Sequence, residues 1–212
     1  MKKFTLLLLS IIALGSCSDK IIRIACVGDS ITEGYGLKVQ SRTSYPVMLN
    51  NILGAKYSVL NNGRSATTLQ KKGDFPYWIC KEFSNTFVYK PNIIIIKLGT
   101  NDTKPQNWHA DKYEQDYQAL IDTFKTISTN PKIYLCLPVP VFKTKWGIND
   151  STVVNGVIPI VEKLAQKNKL TIIDLYHGMS TQGADFPDSI HPNEKAVKVM
   201  AGIIAEKITL KR

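Results

Sequence analysis

Four short segments of this chain carry side chains able to do chemistry. Gly28-Asp29-Ser30-Ile31-Thr32-Glu33-Gly34 sets a serine on a glycine-bounded turn. Where such a turn joins a strand to a helix, the hydroxyl stands clear of the backbone and the free N–H groups of the helix start can receive an anion. Asn61-Asn62-Gly63-Arg64-Ser65 holds a glycine at which a backbone N–H can approach a ligand closely. Gly99-Thr100-Asn101-Asp102 offers a side-chain amide, and Asp188-Ser189-Ile190-His191-Pro192 sets a carboxylate three residues before an imidazole. A serine hydroxyl is a poor nucleophile until a neighbour takes its proton, and an imidazole held by a carboxylate suits that task. Each segment alone has a plainer reading: a turn, an Asx-turn asparagine, or the cap and first turn of a helix.

The elements that must position these groups are legible from hydrophobic pattern. Five β-type runs are expected: Ile21 to Val27, Tyr57 to Leu60, Asn92 to Leu98, Lys132 to Leu137 and Leu170 to Leu175. The third contains four consecutive isoleucines, the mark of a strand buried on both faces of a parallel sheet. Between the runs lie helical stripes, one through Tyr113, Tyr117, Leu120, Ile121 and Phe124, another through Val153, Val157, Ile160, Val161 and Leu164. Pro192 is expected to open a last helix carrying Ala196, Val199, Met200, Ile203 and Ile204. Strand–helix alternation implies right-handed crossovers and an α/β fold, a three-layer α/β/α sandwich on a five-stranded parallel sheet. Ligands of such sheets bind beyond the carboxyl ends of the strands. Three of the four segments follow consecutive strands, and the fourth lies beyond the fifth.

Read together and in order, the segments resemble the signature blocks of the SGNH, or GDSL-type, esterases and acetylhydrolases. The blocks stand here as VGDSITEG, NNGRSATT, LGTND and DSIHP, so the resemblance covers essentially the whole chain after its leader. It implies the flavodoxin-like SGNH hydrolase fold, with Ser30 as nucleophile, His191 as general base and Asp188 as the group that orients His191. It further implies an oxyanion hole built from the Ser30 and Gly63 backbone N–H groups and the Asn101 amide, with no cofactor and no metal. Asp29 and Asp102 are expected to shape turns. The G-x-S-x-G elbow of α/β-hydrolases is absent, because Thr32 occupies its last glycine position.

The stretches GDFPYW, LGTNDTKPQNW, YLCLPVPVF and WGIND resemble a subgroup described as sialate O-acetylesterases or carbohydrate acetylesterases. That resemblance implies an acetylated carbohydrate as substrate, a sialic acid or a plant glycan. Trp108 and Trp146 are expected to stack on sugar faces, and Arg64 to meet a sugar carboxylate. Two other readings stay open: a lysophospholipase or short-chain thioesterase of the same fold, and a non-catalytic glycan-binding lipoprotein. His177 also has an aspartate three residues before it, Asp174, but within an apolar run; His177 and His109 are expected to be structural.

Composition bounds the rest. At 212 residues the chain is about one domain, long enough to bury a core without a disulfide or metal staple. The formal charge of +10 comes from scattered lysines with no long run, so no nucleic-acid partner is expected. Met1-Lys2-Lys3, an apolar run from Phe4 to Leu14 and then Gly15-Ser16-Cys17 describe an export signal, and the cysteine after small residues resembles a bacterial lipobox. Residues 1–16 are therefore expected to be a lipoprotein signal, 17–20 a lipidated N-terminus on Cys17 with a short tether, and 21–212 the hydrolase domain. The expected location is a membrane-anchored exported lipoprotein, at the periplasmic face or the outer surface. Cys26 and Cys136 read as buried small hydrophobes, and the odd number of cysteines after Cys17 leaves at least one unpaired, with Cys80 the one to watch.

Overall fold

The structure, a computed structural model, describes residues 20–210; the expected leader and Cys17 lie outside them. Five strands form one sheet: β1 (Ile22–Gly28), β2 (Tyr57–Gly63), β3 (Ile93–Lys97), β4 (Lys132–Leu137) and β5 (Thr171–Asp174). Their order is β2-β1-β3-β4-β5 and every pairing is parallel, the flavodoxin-like arrangement. The chain leaves β1 toward one edge and returns to place β3 on its other side. The carboxyl ends of β1 and β3 thus flank the switch point.

The helices are, in chain order, α1 (Ser30–Glu33), α2 (Gln40–Thr43), α3 (Tyr45–Leu53), α4 (Lys81–Tyr89), α5 (Ala110–Lys125), α6 (Asp150–Thr152), α7 (Ile158–Asn168), α8 (Leu175–Met179) and α9 (Glu194–Thr209). One π-helical turn, Val153–Val157, joins α6 to α7. Alternate residues of the central strands feed two separate cores, as strand pleating requires. Ala25, Val27, Ile94 and Ile96 meet Tyr113, Tyr117 and Phe124 of α5 and Val161 and Leu164 of α7. Ile24, Cys26 and Ile95 meet Tyr45 and Leu49 of α3 and Met200 and Ile204 of α9. Both faces are covered, which is why the β3 run needs no polar alternation. Cys26 and Cys136 are buried, and burial pushes the Cys26 thiol up to about 12, so it behaves as a small apolar side chain.

Several strand ends shift by one residue, and three boundary differences have a clear local reason. Strand β2 runs three residues further, to Gly63, because Asn61, Asn62 and Gly63 pair with Cys26, Val27 and Gly28. Strand β5 stops at Asp174, whose carboxylate caps α8 by accepting from the His177 N–H. The last helix is opened by Asn193 rather than Pro192, its side chain accepting from the N–H groups of Lys195 and Ala196. His191 therefore lies in the loop before the helix, and Asp188 does not cap it. Among the described residues no helix is long and apolar enough to cross a membrane.

Candidate active site

The turn after β1 is built around a buried charge. Asp29 caps α1 by accepting from the Ile31 N–H, and its carboxylate also meets the Lys97 ammonium at 2.9 and 3.0 Å. Lys97, the last residue of β3, donates in addition to the Thr100 hydroxyl at 3.1 Å. Both charged side chains are fully buried, so the pair is held by mutual charge and hydrogen bonds rather than by water. One salt bridge thereby fixes the Ser30 turn against the loop that carries Asn101.

Ser30 opens α1 with its hydroxyl 2.8 Å from His191 Nε2. On the other side of the ring, His191 Nδ1 lies 2.7 Å from Asp188 Oδ2. Asp188 Oδ1 accepts from the backbone N–H groups of Ile190 and His191, which aims the carboxylate at the imidazole. Burial works against the charged carboxylate, but these N–H groups and the imidazole outweigh it and hold Asp188 below the ordinary carboxylate range. A continuous path of hydrogen bonds thus runs from hydroxyl through imidazole to an ionised carboxylate. With Nδ1–H donating to Asp188, the Nε2 lone pair faces the Ser30 hydroxyl and is placed to take its proton.

Ser30 and His191 face a cleft of about 240 Å³ whose walls include Ala66, Asn101, Ile148 and Trp146. Asn101 is buried, and its Nδ2 donates one hydrogen to the Thr67 carbonyl at 3.1 Å, leaving the other for the cleft. Ala66 sits at φ +66°, a left-handed conformation that a residue with a Cβ seldom adopts. The turn is clamped from behind: Glu33 accepts from both the N–H and the hydroxyl of Ser65. Among the described residues, the backbone N–H groups of Ser30 and Ala66 have no protein acceptor. Two free N–H groups and an anchored amide around a reactive hydroxyl form a cradle for a developing oxyanion.

Gly63, the expected oxyanion donor, is not in this cradle. Its N–H donates to Asn61 Oδ1 at 2.9 Å, and a Cβ on it would fall 2.1 Å from the Glu33 nitrogen. The glycine lets the end of β2 lie against α1, and the chain lines the cleft only further on, at Ser65 and Ala66. Arg64 is corrected as well: it is exposed outside the cleft, its guanidinium 5.9 Å from the Phe75 ring centroid. Trp108 packs at the flank of the core against Tyr113, filling the space beside Gly156 in the π turn. Of the three expected sugar contacts, Trp146 alone lines the cleft, with its ring centroid 6.1 Å from that of His191. Tyr35, 4.6 Å from His191, and Lys104 also line it and had no signal in the sequence. His177 pairs with Asp174 on the surface, and His109 precedes the first turn of α5. Asp102 accepts from the N–H groups of Leu69 and Gln70, and burial pushes its carboxyl up to about 6. Among the described residues no cluster of His, Cys, Asp and Glu could hold a metal ion.

A parallel sheet with a Ser–His–Asp hydrogen-bonded path at its carboxyl edge has the arrangement of a serine hydrolase. The family follows from the sequence itself: residues 26–199 match the model of the GDSL-like lipase/acylhydrolase family, and the chain belongs to it. It is 40% identical over 209 residues to an acetylxylan esterase of Xylanibacter ruminicola, an alignment covering 90% of this chain and 44% of that protein. The chain thus spans less than half the length of that relative. Among solved structures, a carbohydrate acetylesterase from Sinorhizobium meliloti superposes with a TM-score of 0.75 at 20% identity, over 89% of this chain and 99% of that one. The native aryl esterase of M. smegmatis gives 0.73 at 22% identity, over 89% and 99%. At such identities these two likenesses speak for the fold alone.

Proposed function

We propose that this protein is an O-acetylesterase of carbohydrates, working through an acyl-enzyme on Ser30. The hydrogen-bonded path Ser30–His191–Asp188, at 2.8 and 2.7 Å beside a small cleft, carries the reading. Ser30 Oγ attacks the ester carbonyl carbon as its proton passes to His191 Nε2. Asp188 holds the ring and stabilises the imidazolium. The carbonyl oxygen takes up negative charge among the Ser30 N–H, the Ala66 N–H and Asn101 Nδ2. Loss of one such donor costs about 10²–10³ in rate. The C–O bond to the sugar then breaks, and the departing oxygen receives the proton from His191. Water, deprotonated by the same imidazole, attacks the acyl carbon, and acetate leaves as Ser30 regains its proton.

A cleft of about 240 Å³ suits an acetyl group better than a long acyl chain. The likeness to an acetylxylan esterase favours a plant-type glycan. Arg64, outside the cleft, lends no support to a sialic acid carboxylate as the recognised group. The lipobox-like Leu14-Gly15-Ser16-Cys17 supports export and a lipid anchor on Cys17, which would hold the enzyme against external glycans. The test is acetate release from acetylated xylan, pectin and sialic acids and from p-nitrophenyl esters of rising chain length, each beside Ser30→Ala. Release from an acetylated glycan that Ser30→Ala abolishes is expected. Preference for long acyl chains would replace this reading with a lipase, and no turnover at all would leave a binding protein.

A further inference from the structure

His191 is the group that must face the departing alcohol, so the side chains around it read the alcohol half of the ester and not the acyl half. Two of them are exposed aromatic rings. Tyr35 follows α1, tied by its N–H to the Ser30 carbonyl, and Trp146 is 55% exposed. An exposed indole at a cleft mouth is common enough, but the backbone beneath this one is not. Lys145 and Ile148 exchange both backbone hydrogen bonds, so Trp146 and Gly147 form a two-residue turn, with φ +51° and +79°. Positive φ at both central positions marks a type I′ turn, whose first place favours Asn, Asp or Gly. A tryptophan there is strained, and strain of this kind is kept where it serves a site.

The turn is also fixed rigidly to the catalytic loop. A Cβ on Gly147 would lie 3.3 Å from Pro105 Cδ, and Asn149 reaches back to the Thr103 carbonyl and hydroxyl. Thr103 stands two residues after Asn101. The indole therefore keeps a set position relative to the oxyanion cradle. Polar groups accompany it: the Lys145 ammonium rests over its ring at 4.6 Å, and Lys104, half-buried beside the turn, pairs with Asp74. With one face of the indole under the Lys145 ammonium, the opposite face of this half-exposed ring is left for a pyranose, apolar on its C–H face and polar at its edge.

Resting on the acetylesterase reading, we infer that the Trp146–Gly147 turn is a stacking platform for a pyranose ring of the alcohol half, and that it selects sugar esters over small ones. The test compares kcat/KM for an acetylated xylo-oligosaccharide, ethyl acetate and phenyl acetate in the parent chain, Trp146→Asn and Trp146→Phe. Trp146→Asn should lower the oligosaccharide-to-ethyl acetate ratio about tenfold, chiefly through KM, the size of one stacked ring. Its thermal midpoint should hold or rise, because asparagine suits the left-handed position. Trp146→Phe should recover most of the ratio. An unchanged ratio in Trp146→Asn would overturn the platform, as would a larger loss on phenyl acetate than on the oligosaccharide. A parent that hydrolyses ethyl acetate but no acetylated sugar would overturn the acetylesterase reading and the platform together.

Discussion

Two Asp-x-x-His segments lie in this chain, Asp174–His177 and Asp188–His191, and their inner geometry is the same. In each, Nδ1 stands 2.7 Å from the carboxylate and the backbone N–H of the histidine donates to the other carboxylate oxygen. They part company at the far side of the ring. His177 is 72% exposed, whereas His191 is 8% exposed and meets the Ser30 hydroxyl. Asp174 has become the cap of α8, whereas Asp188 caps no helix and accepts from the Ile190 and His191 N–H groups in the loop before α9. The i, i+3 spacing makes the pair, but burial and a hydroxyl partner are what turn a pair into a site.

The sharpest way to break this contrast is to remove each imidazole. His191→Ala is expected to lower kcat by about 10⁴–10⁶ on any ester the parent hydrolyses. His177→Ala should stay within about twofold; equal losses in steady-state kinetics would mean that the two pairs had been assigned wrongly. Asp188→Asn comes next, at about 10⁴ in kcat, because the amide favours the wrong tautomer. Since Asp188 is held below the ordinary carboxylate range, it stays charged in mild acid, and the acid limb of kcat/KM should carry a single proton. A limb of slope two would show the carboxylate titrating alongside the imidazole.

A third carboxylate sharpens the comparison from the side of stability. Asp102 binds its proton more tightly folded, at about 6, than unfolded, near the ordinary aspartate value of 3.8. Stability from this group is therefore fullest at low pH and falls as pH rises through that window. Relative to Asp102→Asn, the parent should lose about 1.4 kcal/mol per pH unit between about pH 4 and 6, or about 3 kcal/mol in all. Denaturant melts across that range would read it, and a parent that gained stability relative to Asp102→Asn as pH rose would contradict it. The smallest effect belongs to Asp174→Ala, about 1 kcal/mol of stability from a lost helix cap, with the ester hydrolysis rate unchanged.

The sheet and both acid–base partners were legible because they are written in side chains. Four isoleucines in a row fix a buried strand, and Ser30, Asp188 and His191 meet through side-chain groups the sequence names. The cradle was less legible because its donors are backbone. Nothing about an alanine announces φ +66°, so the motif's glycine at 63 stood in for Ala66. Tryptophans were ambiguous for another reason: the same indole fills a core gap at Trp108 and stands in solvent at Trp146, and only the tertiary neighbours separate the two. Arg64 shows the limit of adjacency, since one residue along a turn is enough to leave the cleft.

The salt bridge between Asp29 and Lys97 carries a consequence for how such a chain can change over generations. Removing either partner leaves its mate charged with no water to turn to, a loss of about 3–5 kcal/mol, while replacing both by apolar groups of similar size can be neutral. Single steps away from the pair therefore cross a valley of instability comparable to much of a domain's net stability. The two positions, sixty-eight residues apart, are bound to be inherited as one character, kept together or exchanged together.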